Sequence, residues 1–399
     1  MVKRWKELPE EKKSGLLIAG ILLLLIPYFK PGYIHLCVPI GKALYDVARI
    51  IGAVVVFALF LRHLVRVRRL SGAAIALIVL EGWMSADVLI HQGINVTAFA
   101  GIVSALSVCL LIEMAMSRGR AAELLNAFLL LYEILIGLNF LTMLIWPKGL
   151  YYTPSELWDN WFLGYRNMFL FYFAPALSLE LLNRHRTGKA ARMNVVTAVC
   201  TVSMALSGSA TGMIAIAVFD VLYITHLYRV KLCNILTVTV AALAANVSIV
   251  CLNVQQYLAP LFALIGREVN FTGRTTIWER TIALIQKQPL LGYGMQSEEV
   301  RGATAGLWSG VKAHNFFLEQ QYCFGIIGTV LFLAFLGVLI VGLHRNRTHP
   351  YAASLCLGMI CYYLLMMMES HINQIPMMSF FFIACFAGQM IEQLKMKTA

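Results

Sequence analysis

The sequence predicts an all-α, polytopic membrane protein with about twelve transmembrane helices. Three observations predict it. Residues of the AVILMFWYC set fill 60% of the 399 positions and charged residues only 13%, where soluble domains carry about 25% charged. Mean hydropathy is +0.75, which leaves too few polar side chains to cover a water-exposed surface. Apolar runs close to the ~20 residues that cross a bilayer recur along the whole chain.

The elements follow in order. Lys3, Arg4, Lys6, Lys12 and Lys13 precede a first run ending near Phe29. No A-x-A-like site follows, and Pro27 and Pro31 interrupt the exit, so this segment is read as a retained span and not a cleaved signal. The spans are expected at 14–29, 43–61, 70–90, 96–116, 121–146, 165–183, 193–208, 210–228, 232–252, 316–343, 351–369 and 375–393. Met193–Tyr228 holds one charge, Asp220, and is too long for one helix. Its Ser207-Gly208-Ser209-Ala210-Thr211-Gly212 segment is the natural place to reverse. With the N-terminus inside, the inner segments hold 21 of the 32 Lys and Arg residues, which places both termini in the cytoplasm. Residues 1–252 then carry nine spans, 253–315 form a large extracytoplasmic loop, and 316–399 carry three more.

The formal charge of +12 does not indicate nucleic-acid binding, because the basic residues punctuate apolar runs. Nine Cys residues without a CxxC pair or His/Cys metal spacing predict neither a disulfide framework nor a metal site. No cofactor is expected.

Two outer segments are long enough to carry chemistry. Trp146–Gly164 leads into Tyr165-Arg166-Asn167, with Trp146, Trp158 and Trp161 expected near the outer interface. The 253–315 loop is expected to be helical. Thr276-Ile277-Trp278-Glu279 fits a capping box, with Ile277, Arg280 and Leu284 on one side of the helix that follows. Pro289 stops that helix, and Gly292-Tyr293-Gly294 makes a turn.

His314, at the loop's end, is suited to accept a proton from a substrate hydroxyl. Taken alone it decides little, since an interfacial histidine is more often a wet loop residue. Residues 314, 318, 321, 325 and 328 would share a helical face, where Gly325 and Gly328 admit a close neighbour. Arg274 and Arg280 fit a phosphate site, although six helical residues set them about 120° apart; a surface ion pair of Arg280 with Glu279 or Glu298 is the competing reading. Arg166 opens an apolar span, where an unpaired guanidinium costs roughly 2.5–3.5 kcal/mol unless it lines a wet cavity or snorkels outward. The intramembrane acids Asp46, Glu81, Asp87, Glu113, Glu133, Glu180, Glu319 and Glu369 are functional candidates by default. Glu81, Asp87 and Glu369 keep a flippase or proton-coupled transporter open.

His314-Asn315, nine residues, then Gly325-Ile326-Ile327-Gly328 resembles the His-Asn-x9-Gly-x-x-Gly signature of the O-antigen ligase and Wzy-type O-antigen polymerase superfamily. Gly273-Arg274-Thr275-Thr276-Ile277-Trp278, Arg280-Thr281-Ile282-Ala283-Leu284 and Gln288-Pro289-Leu290-Leu291-Gly292-Tyr293-Gly294 are similar to its large-loop consensus. Phe162-Leu163-Gly164-Tyr165-Arg166-Asn167 resembles an earlier entry to a span. The resemblance implies an inverting, metal-independent glycosyltransferase at the outer face of the bacterial cytoplasmic membrane. Its partners would be a polyprenyl-diphosphate-linked oligosaccharide donor, an acceptor glycan or glycolipid, and the bilayer. His314 would be the general base. Arg274, Arg280 and Arg166 would bind the diphosphate, supported by Asn315, Lys312 and Asn167. Many members carry an Arg in the turn that here reads Ser207–Gly212, so Arg166 or Lys312 would have to replace it. A polymerase of surface-polysaccharide repeat units is the preferred reading, partly because Pro27-Tyr28-Phe29-Lys30-Pro31-Gly32 resembles polymerase-type members. A ligase moving finished glycan onto lipid A-core or another acceptor is the alternative.

Overall fold

A computed structural model describes residues 9–153, 156–252, 254, 257, 273–306 and 312–394. Lys3, Arg4, Lys6, the C-terminal lysines and much of the first half of the 253–315 loop lie outside the described residues. The chain is an all-α, multi-pass membrane protein. Its helices are α1 (Glu10–Leu25), α2 (Gly32–Cys37), α3 (Pro39–Val67), α4 (Gly72–Gln92), α5 (Val96–Ser117), α6 (Ala121–Ile145), α7 (Phe169–Thr187), α8 (Ala191–Ser207), α9 (Ala210–Ile224) and α10 (Ile235–Val250). The segment between α10 and the next spanning helix contributes α11 (Arg274–Lys287) and α12 (Glu298–Ala305), and α13 (Phe316–Arg345), α14 (Pro350–Met368), α15 (Ile375–Cys385) and α16 (Ala387–Gln393) follow.

Among the described residues, six helices are long and apolar enough to cross a membrane, or seven if the bent α15–α16 pair counts as one. A helix lies in each of the twelve expected segments, but α8 and α9 have 17 and 15 residues. At 1.5 Å per residue they reach only about 26 and 23 Å, short of the ~30 Å hydrocarbon core. The turn between them is the one the sequence marks: Gly208 takes φ +64°, and the Ser209 side chain caps α9 by accepting from Gly212 N–H.

Exposed apolar side chains show which surfaces meet lipid. On α3, Ile40, Leu44, Val47, Ile51, Val54, Leu61 and Val65 are each more than half exposed at helical spacing, an apolar stripe that water would not tolerate. By contrast, every residue of α7 from Phe169 to Asn183 is buried, as expected of a helix enclosed by others. It packs along α14. Gly358 makes this possible, since a Cβ there would stand 2.8 Å from Ser178 Cβ. Ser178 Oγ donates to Ser354 O at 2.8 Å, and Tyr362 Oη to Phe171 O at 2.8 Å. This pairing brings the start of α7 beside the end of α14.

Between α6 and α7 the sequence reading missed a small antiparallel sheet, β1 (Tyr151–Thr153), β2 (Glu156–Trp161) and β3 (Gly164–Tyr165), in the order β1-β2-β3. Asn139 Oδ1 on α6 accepts Leu163 N–H at 2.9 Å, and the Gly32 and Tyr33 amides donate to Leu163 O and Phe162 O. Gly32 is required there, because a Cβ would fall 2.8 Å from Gly164 Cα. Trp161 is buried and donates to Trp146 O, Trp146 is half exposed, and the Trp158 side chain lies outside the described ones.

α13 is broken at Gly325, whose φ of 60° and ψ of −165° lie outside helical space. The gap frees main-chain groups, and the Pro289–Gly294 turn takes them up. Tyr293 and Gly294 amides donate to Tyr322 O (2.8 Å) and Cys323 O (2.9 Å), while the Ile326 amide donates to Pro289 O (2.8 Å). Gly325 therefore admits this turn and not a neighbouring helix as its spacing suggested; a Cβ would lie 2.1 Å from Leu290 O. Gly328 does face a helix, α4, at Trp83.

Candidate active site

α11 begins at Arg274 behind Gly273 (φ +86°), so Thr276 is not an N-cap and the expected capping box does not form. Its buried face is Trp278, Thr281 and Ile285, one residue along from the expected stripe. Arg274, in the first turn, reaches the end of α14: its guanidinium donates to Met368 O, and Nη2 lies 3.6 Å from Glu369 Oε1. Arg280 points elsewhere, exposed, and donates to Gly306 O at the end of α12. The 120° divergence of an ideal helix is what separates them. The Glu298 side chain lies outside the described ones.

Glu369 is the hub. It is 5% exposed, and His314 Nδ1 and His371 Nε2 each lie 4.0 Å from its Oε2. Asn167 Nδ2 donates to Oε1 at 2.8 Å. Asn167 Oδ1 in turn accepts from Ser209 Oγ at 2.7 Å. Arg166 Nη1 lies 3.5 Å from Ser207 O, so the α8–α9 turn that lacks the family's arginine has Arg166 beside it. Burial, the largest single influence, would raise the Glu369 carboxyl, but His314, Arg274 and His371 together hold it below its ordinary value. Burial lowers His371, with Lys312 and His314 adding to the effect against Glu369. Lys312 is thus within electrostatic reach of the cluster. Asn315 serves the backbone: buried, it caps α13 by accepting from Leu318 N–H and donates to Asn246 Oδ1 (2.6 Å) and Met367 O (3.2 Å).

The separation of 4.0 Å between His314 and Glu369 is an ion-pair distance, too long for a hydrogen bond. Among the described residues His314 Nδ1 has no hydrogen-bond partner, and the ring is partly exposed. An imidazole with one nitrogen toward a carboxylate can present the other to an incoming hydroxyl. The sequence reading placed Glu369 among transporter acids and overlooked His371; the signal was the run Glu369-Ser370-His371 closing an apolar segment.

Most other intramembrane acids are partnered. Asp46 meets Lys30 and Arg49, Glu113 accepts from Ser71 at the start of α4, and Glu133 and Glu180 meet Arg192. Glu81 accepts from Asn373 at 3.2 Å, and Asp87 lies 3.3 Å from His91. A cavity of about 370 Å³ opens between α6 and α8, lined by Ile136, Gly137, Val195 and Val199 with Glu133 and Arg192; no residue of the Glu369 cluster lines it.

Fold and site together define a multi-pass membrane protein with a histidine–carboxylate–arginine site where extramembrane segments meet the helix ends. Residues 195–333 match the model of the O-antigen ligase family, designated Wzy_C. The exopolysaccharide production protein ExoQ of Rhizobium meliloti (strain 1021) is 33% identical over 76 residues, 16% of this chain and 18% of that relative's length. Residues 195–333 are thus similar to the O-antigen ligase family, and both matches support a likeness to the wider O-antigen ligase/polymerase superfamily.

Proposed function

We propose that the chain is an inverting glycosyltransferase that transfers glycan from a polyprenyl-diphosphate donor to an acceptor sugar hydroxyl at the outer face of the cytoplasmic membrane. The observation that carries this reading is the convergence of His314, Arg274, His371 and Asn167 on Glu369. The match to the O-antigen ligase family supports it. His314 takes the proton of the attacking hydroxyl through the nitrogen facing away from Glu369. Glu369 stabilises the imidazolium that forms, as an orienting carboxylate does in a catalytic triad. The hydroxyl oxygen bonds to the anomeric carbon as the bond to the diphosphate oxygen breaks on the opposite face. Charge gathers on the leaving diphosphate, where Arg274 and Arg166 stabilise it more in the transition state than in the ground state. No metal has a step in this scheme, and EDTA is expected to leave the rate unchanged.

Polymerisation of surface-polysaccharide repeat units is the preferred outcome, supported by the motif order and the relative's role in exopolysaccharide production. In proteoliposomes given a polyprenyl-diphosphate oligosaccharide, a polymerase makes a ladder, whereas a ligase makes one transfer to a defined acceptor. His314→Ala is expected to abolish transfer at normal membrane insertion, and full retained activity overturns the reading. A transporter would instead lose substrate movement when Glu81 or Asp87 is neutralised, with no glycosidic bond made at any stage.

A further inference from the structure

His314 holds φ at +48°, in the left-handed region that residues with a side chain seldom occupy. Such a conformation persists where the surroundings over-determine it. Here the peptide groups of the preceding residue are both held by buried side chains from different elements. Trp278 Nε1 on α11 donates to Ala313 O at 2.9 Å, and Ala313 N–H donates to Glu319 Oε2 on α13 at 3.0 Å. The other oxygen of Glu319 takes the Arg301 guanidinium in a buried ion pair. Arg301 lies 4.2 Å over the Tyr322 ring, and Tyr322 Oη donates to Gln296 at 2.8 Å. Trp278, Arg301 and Glu319 are 1%, 6% and 4% exposed. A carboxylate near the start of an apolar helix is costly and needs its partners. This one gives half of its bonding capacity to a single main-chain amide beside His314.

We infer that Trp278 and Glu319, the latter held by Arg301, are positioning residues that aim the His314 imidazole through the Ala313 peptide; this rests on the base role proposed for His314. Among the described contacts none of the three touches His314, His371, Arg274 or Glu369 with a side chain. Their effect is on where the ring stands, and small displacements of a catalytic group are expensive in rate.

The test uses full-length protein in proteoliposomes and two readouts: the rate at which diethyl pyrocarbonate modifies His314, followed by peptide mass spectrometry, and kcat and KM for glycan transfer. Trp278→Phe keeps the aromatic packing and deletes the N–H donor. Two double variants remove the ion pair: Arg301→Met with Glu319→Met loses the acceptor for Ala313 N–H, whereas Arg301→Met with Glu319→Gln retains it. Trp278→Phe and the Met/Met pair are expected to change the His314 modification rate at least threefold and lower kcat about tenfold, with KM within twofold. The Met/Gln pair should recover to within threefold of wild type in both readouts. An unchanged modification rate in Trp278→Phe overturns the proposal, whether or not the double variants insert. So does a Met/Gln pair no better than Met/Met. If His314→Ala retains transfer while Trp278→Phe still alters the modification rate, the glycosyltransferase reading fails and the hold on His314 stands.

Discussion

Glu369→Gln removes one negative charge while keeping the side chain's size and an acceptor for Asn167. In the native site that charge lies 4.0 Å from His314 Nδ1 and 3.6 Å from Arg274 Nη2. Two unit charges 4 Å apart attract by about 4 kcal/mol at an effective dielectric of 20, which is the ceiling for what Glu369 gives a fully formed imidazolium. Contacts to charged groups in proteins return about 1.5–3 kcal/mol net. At 1.36 kcal/mol per decade this is roughly a 10- to 150-fold fall in kcat. The loss should sit mainly in kcat, because the imidazolium exists in the transition state and not in the bound ground state. Initial rates with a polyprenyl-diphosphate oligosaccharide in proteoliposomes, normalised to inserted protein, give the number. Activity within twofold of wild type would refute the assignment of Glu369 as the partner of the base.

Arg274→Ala should lower transfer at least 30-fold and Arg280→Ala no more than about threefold, since only Arg274 reaches Glu369; equal losses in the same rate assay would count against this placement. Gly325→Ala forces a side chain into φ +60° and against Leu290 O, a cost on the order of 3 kcal/mol or more; thermal unfolding in detergent should show a clearly lowered midpoint, and a wild-type midpoint would contradict the docked turn. The native state holds both Glu369 and His371 below their ordinary values. For each, the unfolded chain binds the proton first as pH falls. Their stabilisation is therefore complete above the unfolded pKa, near 6.5 for His371 and about 4.3 for Glu369, and is lost below it. His371→Gln should flatten the fall in melting temperature between pH 7 and 5, and an unaltered slope would argue against a part-buried imidazole held neutral there.

The apolar runs, the Ser207–Gly212 reversal and the Pro289 stop were legible because each depends on neighbours in sequence. So was the divergence of Arg274 from Arg280, which needs only helical geometry. Glu369 as the centre was not legible, because its contact with Asn167 spans 202 residues and depends on α7 lying against α14. The β1–β3 sheet was overlooked although Tyr151-Tyr152-Thr153 and the aromatic β2 are good strand formers; reading the tryptophans as interface markers hid it. Gly325 was read as a smooth helical surface because a periodicity count gives no sign that the backbone leaves the helix. Thr276 fitted a cap by residue type, yet Gly273 lets the helix start three residues earlier.

The join at Gly325 also bears on how such proteins can be recombined. Because main chain from 289–294 fills bonds that the spanning helix leaves open at 322–326, the water-facing and lipid-facing parts share one ladder of amides. An exchange of outer loops between relatives would therefore sever that ladder unless the stretch around the broken helix travelled with the turn. The unit of inheritance is the pair, because the loop and the bundle are tied to each other at a glycine.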